Sequence, residues 1–208
     1  MENTLGAFRY AMANGCDGFE FDVRYTRDRR SVLSHDPQLN HKEVANTEYA
    51  GLERRCGYTL ACLEDVLARF GSTAYLDIEL KVTGNEEAVA AALRAHPPQC
   101  GYVVSSFLPE VLRCLHEVDA SIPLGFICEH SQDVEPWTVL PIAAFIPHCS
   151  LVSQPLIDKV HAREKKLLTW TVNNVHDLLR LASWGVDGII SDDPRLLART
   201  FSRQLEAS

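Results

Sequence analysis

The stretch GFEFDVRYTRD, Gly18 to Asp28, carries two carboxylates, Glu20 and Asp22, inside what otherwise reads as a buried strand. Alternate strand side chains point to opposite faces. Phe19, Phe21 and Val23 therefore share one face, and Glu20 and Asp22 the other. YLDIELK, Tyr75 to Lys81, repeats the pattern, with Leu76, Ile78 and Leu80 opposite Asp77, Glu79 and Lys81. In one barrel, the apolar sets would face surrounding helices while the acids face the barrel mouth. Carboxylates converging there repel one another and lose hydration. A hard divalent cation, Mg²⁺ or Ca²⁺, resolves this, because such ions take carboxylate oxygens and waters. The plainer alternative is an exposed edge with alternating polar residues, or acids paired with Arg24 or Lys81. Two such strands, with acids in the C-terminal halves where barrel enzymes keep their sites, favour a metal site.

Working outward, short apolar or β-branched runs recur: AYLDIEL, GYVVSSF, PLGFIC, AAFIP, KLLTWTV and GVDGIIS. Segments of helical period separate most of them. TLGAFRYAMANG sets Leu5, Phe8, Ala11 and Met12 on one face before Gly15, a natural stop. TLACLEDVLARFG repeats this, with Thr59 as expected N-cap and Gly71 past the end. NEEAVAAALRAHPP starts acidic and stops at prolines. PEVLRCLHEV, QPLIDKVHAREK, NVHDLLRLASWG and DPRLLARTFSRQL read as further amphipathic helices. This alternation implies a parallel sheet covered by helices. Strands spaced roughly 20–27 residues apart fit a (β/α)8 barrel. No glycine-rich dinucleotide fingerprint follows any strand, which disfavours a nucleotide-binding doubly wound sheet. Without a linker, residues 1–208 read as a single domain. The strand count is one short. Seven core strands plus a short SVLSHD segment are found, where a closed barrel needs eight, and the chain opens on a helix.

The 208 residues are 46% hydrophobic and 23% charged, with a net charge of -8. No basic run appears, so nucleic acid or an anionic membrane surface is not an expected partner. No apolar run is long enough to span a bilayer. The N-terminus lacks the basic-then-apolar pattern of a secretory signal, so no membrane anchor is expected. Seven scattered cysteines without a close pair suggest reduced thiols in a cytoplasmic protein. His35, in SHDPQL, is a candidate general acid or base. His148, in FIPHCS, follows a strand end and is a weaker candidate for the mouth.

ENTLGAF, GCDGFEFDVRYTRD, VLSHDPQL, YTLACLEDVL, LDIELK, VVSSFLPEVL, LTWTVN and GVDGIISDDP occur in that order. Together they resemble the glycerophosphodiester phosphodiesterases over nearly the whole chain. The resemblance implies a (β/α)8 barrel, and divalent metal bound by Glu20, Asp22 and Glu79. It implies His35 as acid/base, Lys81 facing the phosphate, and Phe107 and Trp170 walling the substrate pocket. The substrate class would be small glycerophosphodiesters, giving glycerol 3-phosphate and an alcohol such as choline or ethanolamine.

The sequence departs from the family pattern at its start. The family opens with a strand ending in His-Arg-Gly, shortly before Pro-Glu-Asn-Thr. Here Met1 stands in that proline's place, before Glu2, Asn3 and Thr4. The resemblance therefore implies a barrel missing its first strand, one catalytic histidine and an arginine. Impaired catalysis and an open seam beside GFEFDV are expected. The arginine usual after the HDPxL motif is replaced around Asn40 and His41, and the following loop is shortened. The alternatives are a non-catalytic remnant or binding module of the same fold, or a related phospholipase-type phosphodiesterase.

Overall fold

The computed structural model describes residues 2–131 and 135–205. Its main sheet contains β1 (Gly18–Tyr25), β2 (Ser31–Leu33), β5 (Tyr75–Leu80), β6 (Tyr102–Ser106), β7 (Leu124–Cys128), β8 (Ala144–Pro147), β9 (Lys166–Thr169) and β10 (Gly188–Ile189). The spatial order is β10-β9-β8-β7-β6-β5-β1-β2. Seven of these strands are parallel, and β2 alone runs antiparallel, against the C-terminal half of β1. This matches the expectation of seven strands with SVLSHD as a short extra one. Among the described residues β10 and β1 do not pair, so the strand layer stays open between them.

The helices are α1 (Leu5–Ala13), α2 (Tyr49–Cys56), α3 (Leu63–Phe70), α4 (Glu86–Ala95), α5 (Pro109–Val118), α6 (Gln154–His161), α7 (Val175–Trp184) and α8 (Pro194–Leu205). The outer face of the sheet packs on them. Phe21, Val23, Leu76, Ile78 and Leu80 join one core with Phe8, Leu63, Val66, Leu67, Val89 and Leu93. A second core fills the inside of the sheet, built from Val103, Ile127, Ala144, Ile146 and Leu168. The helix layer meets across the open strand layer: Arg195 of α8 lies 5.3 Å from the Tyr10 ring of α1. Nearby, Cys16 Sγ is 3.8 Å from the Pro194 carbonyl.

Two details differ from the sequence expectation. The third helix begins at Leu63, with Cys62 rather than Thr59 as its N-cap. Asp65 explains the shift, because its Oδ2 accepts from both Cys62 N (3.2 Å) and Cys62 Sγ (3.0 Å). The shortened loop is also ordered. It forms a two-stranded ribbon, β3 (Gln38–Leu39) with β4 (Lys42–Glu43), and then α2. These pack a small core of Val32, Val44, Tyr49, Leu52 and Leu60.

Candidate active site

The register of β1 on β5 builds the site. Gly18 pairs with Tyr75, Glu20 with Asp77, and Asp22 with Glu79, so all four acids project from one face. Gly18 permits this register, because a Cβ there would lie 2.0 Å from the Tyr75 carbonyl oxygen. Oxygens of Glu20, Asp22 and Glu79 come within 4.8 Å of one another. Asp77 is turned to another partner, accepting from Ser105 Oγ at 2.5 Å. Asp22, Asp77 and Glu79 are buried.

Lys81 supplies the balancing charge. Its Nζ lies 2.8 Å from Asp22 Oδ1 and 2.5 Å from Glu79 Oε1. Burial alone would lower the Lys81 pKa, but these carboxylates outweigh it and hold the ammonium above its ordinary value. Burial, with the charges of Asp22, Asp77 and Glu79, raises Glu20 well above the ordinary carboxylate range. Burial also pushes Asp77 up to about 7, against the Ser105 bond. Glu79 is raised by burial, with Lys81 opposing.

One cation does not satisfy the cluster: Glu20 Oε1 is buried without a hydrogen-bond partner. Three clustered carboxylates, one with an unused buried oxygen, form a hard-donor set that fits a divalent ion such as Mg²⁺ or Ca²⁺.

His35 follows β2 at the same end. It is more than half exposed, and its Nδ1 lies 3.1 Å from Asp36 Oδ1. Its carbonyl accepts from Arg24 Nε (3.1 Å) and Nη2 (2.7 Å), which ties the loop to β1. The imidazole is close enough to Glu79 to help oppose the rise in that carboxyl's pKa. Phe107 follows β6, and its ring lies 5.7 Å from Lys81 Nζ and 5.6 Å from the Trp170 ring. Trp170 Nε1 donates to the Ile146 carbonyl at 3.0 Å. His148 stands edge-to-face on Trp170 at 5.3 Å. The weaker histidine candidate thus joins the aromatic wall, alongside Trp170 rather than the carboxylates.

Two residues in the site carried no assignment from sequence. Ser105 anchors Asp77. Asn3 bonds Asp22 through both halves of its amide. Asn3 lies in the ENTLGAF stretch, directly before Thr4, the N-cap of α1, and nothing local to it points to Asp22.

The sequence profile of the glycerophosphoryl diester phosphodiesterase family matches residues 1–196. The chain belongs to that family. Its similarity to a glycerophosphodiester phosphodiesterase of Caldanaerobacter subterraneus is 29% identity, covering 94% of this chain and 90% of that protein. A Bacillus altitudinis protein of the same name is 28% identical, over 93% and 89% of the two chains. A solved phosphodiesterase of Oleispira antarctica, in complex with the product sn-glycerol-3-phosphate, superposes with a TM-score of 0.81. It is 25% identical, with 97% and 91% of the chains covered. A glycerophosphodiester phosphodiesterase from Parabacteroides distasonis gives a TM-score of 0.83 at 20% identity, covering 98% and 91%. The last likeness bears on the fold alone, which is an incomplete (β/α)8 barrel. Family membership makes the acidic mouth, not the helical surface, the place to look for chemistry.

Proposed function

We propose that this chain hydrolyses small glycerophosphodiesters to glycerol 3-phosphate and an alcohol, with a divalent ion held by Glu20, Asp22 and Glu79. The observation that carries this is the convergence of those three carboxylates within 4.8 Å at one end of a family barrel. When bound, the ion supplies Lewis-acid stabilisation of charge on the phosphoryl oxygens. Lys81, already among the ligands, adds a second positive charge for the phosphate as negative charge builds in the transition state. His35 moves a proton at one of the two bridging oxygens, and its exposed ring can reach a ligand entering the mouth. Phe107 and Trp170 wall the organic part of the substrate and exclude water from it. The reduced cysteines, all free among the described residues, suit a cytoplasmic setting. No described helix is long and apolar enough to cross a membrane.

A second reading is a non-catalytic module that binds metal and ligand without turnover. The strand layer, open between β1 and β10 among the described residues, favours it. One experiment separates the two. Purified protein is incubated with glycerophosphocholine and Mg²⁺ or Ca²⁺, and glycerol 3-phosphate is measured. Metal-dependent release that EDTA abolishes is expected. Tight metal binding with no release would favour the module, and neither binding nor release would overturn both readings.

A further inference from the structure

Asp22 meets two different partners. Lys81 Nζ takes Oδ1 at 2.8 Å. Asn3 takes the rest: its Nδ2 donates to Asp22 Oδ2 at 2.7 Å, and its Oδ1 accepts from Asp22 N at 2.9 Å. One carboxamide therefore bridges the main-chain N–H and the carboxylate of the same residue, which fixes the side-chain torsion. The main-chain bond falls on the edge of β1 away from β5, one residue before the β1–β2 register begins at Val23, where the Asp22 carbonyl accepts from Ser34 N at 3.1 Å. Asn3 is itself held. Its backbone is left-handed at φ 52°, a conformation asparagine tolerates better than most residues. Thr4 then caps α1 by accepting from Ala7 N at 3.2 Å.

We infer that Asn3 is a positioning residue, orienting Asp22 toward the Glu20–Glu79 pair so that the three carboxylates are preset for a divalent ion. This rests on the metal reading of the cluster above. A carboxylate oxygen carries two lone-pair sites. Each Asp22 oxygen therefore keeps a site for the ion while bonded to Asn3 or Lys81. Partners of this kind, which orient a ligand without touching the metal, affect metal affinity strongly.

The test is Asn3→Gly, because glycine suits the left-handed backbone and removes the bridging carboxamide with the rest of the side chain. Mg²⁺ and Mn²⁺ binding are measured by calorimetry and by Mn²⁺ electron paramagnetic resonance. Thr4→Ala serves as control, since it loosens the start of α1 without touching Asp22. Asn3→Gly is expected to weaken metal binding about 10–100-fold, and any activity loss is expected to recover at high Mg²⁺. Thr4→Ala is expected to lower the melting temperature with metal affinity unchanged. Equal weakening in both variants would reduce Asn3 to a structural tie and overturn the inference. So would unchanged affinity in Asn3→Gly. A wild type that binds neither metal would overturn the metal reading and this inference with it. If Asn3→Gly does not fold, the wild-type Asn3 side-chain amide resonance decides. Broadening by Mn²⁺ and protection from solvent exchange are expected, and a sharp, fast-exchanging resonance would overturn the inference.

Discussion

Charge arithmetic governs the site residue by residue. Glu20, Asp22 and Glu79 face one ammonium, and the deficit falls on Glu20, whose buried Oε1 has no partner. Glu20→Gln and Glu79→Gln should each weaken Mg²⁺ binding by about 100-fold or more, whereas Asp77→Asn should cost less than about tenfold, because Asp77 already belongs to Ser105. Titration calorimetry on the three variants checks the ranking. Lys81 tests the same arithmetic from the other side. In EDTA, Lys81→Met should lose about 3 kcal/mol of stability, the order expected when one partner of a buried ion pair is removed. Added Mg²⁺ should restore much of that loss. Thermal melts with and without metal measure both.

Individual elements show how short motifs that carry the family resemblance can be structural rather than catalytic. In GVDG, Asp187 accepts from Lys166 Nζ, Leu167 N and His161, each at 2.8 Å, and so pins β10 to β9 and α6. Burial would push its carboxyl up, but these bonds outweigh it and hold it below the ordinary 3.8. A depressed carboxyl contributes stability above its unfolded pKa and loses it as pH falls through the folded one. Asp187→Asn should therefore cost about 1–2 kcal/mol at neutral pH. The gap from wild type should shrink below pH 3.8, as urea melts at several pH values would show. Gly18 makes a steric test of β1. Gly18→Ala should destabilise by about 1–3 kcal/mol, since its Cβ would collide with Tyr75 backbone. Legibility followed the same division. Period-2 alternation in GFEFDV and YLDIEL carried the acids, because β5 buries its apolar face completely and β1 buries all of its own but Phe19. The start of α3 was misplaced because a cysteine, paired with Asp65, does the work usually given to threonine. The β3–β4 ribbon and α2 went unread because a tertiary core of five side chains orders them. Asn3 was read only as part of ENTLGAF, and its bond to Asp22 was not legible because that partner lies 19 residues away.

For the whole molecule, the barrel is a ring of strands interrupted in one place and helices that meet over the interruption. Arg195 over Tyr10 and Cys16 beside Pro194 join the two ends of the described chain. The Cys16–Pro194 contact bridges a sequence separation of 178 residues. Closing such a loop directly from an unfolded chain costs roughly 4–5 kcal/mol in entropy, more than a few helix contacts return. The α1–α8 clasp therefore forms last, after the intervening βα units have carried one end around to the other, and parts first. Amide protons of α1 and α8 should exchange together, at a lower opening free energy than those of β5 to β8. Asn3 sits at the root of α1, so each opening of the clasp also slackens the tether on Asp22. In that sense the timing of the outer helices sets how long the acidic mouth stays in register.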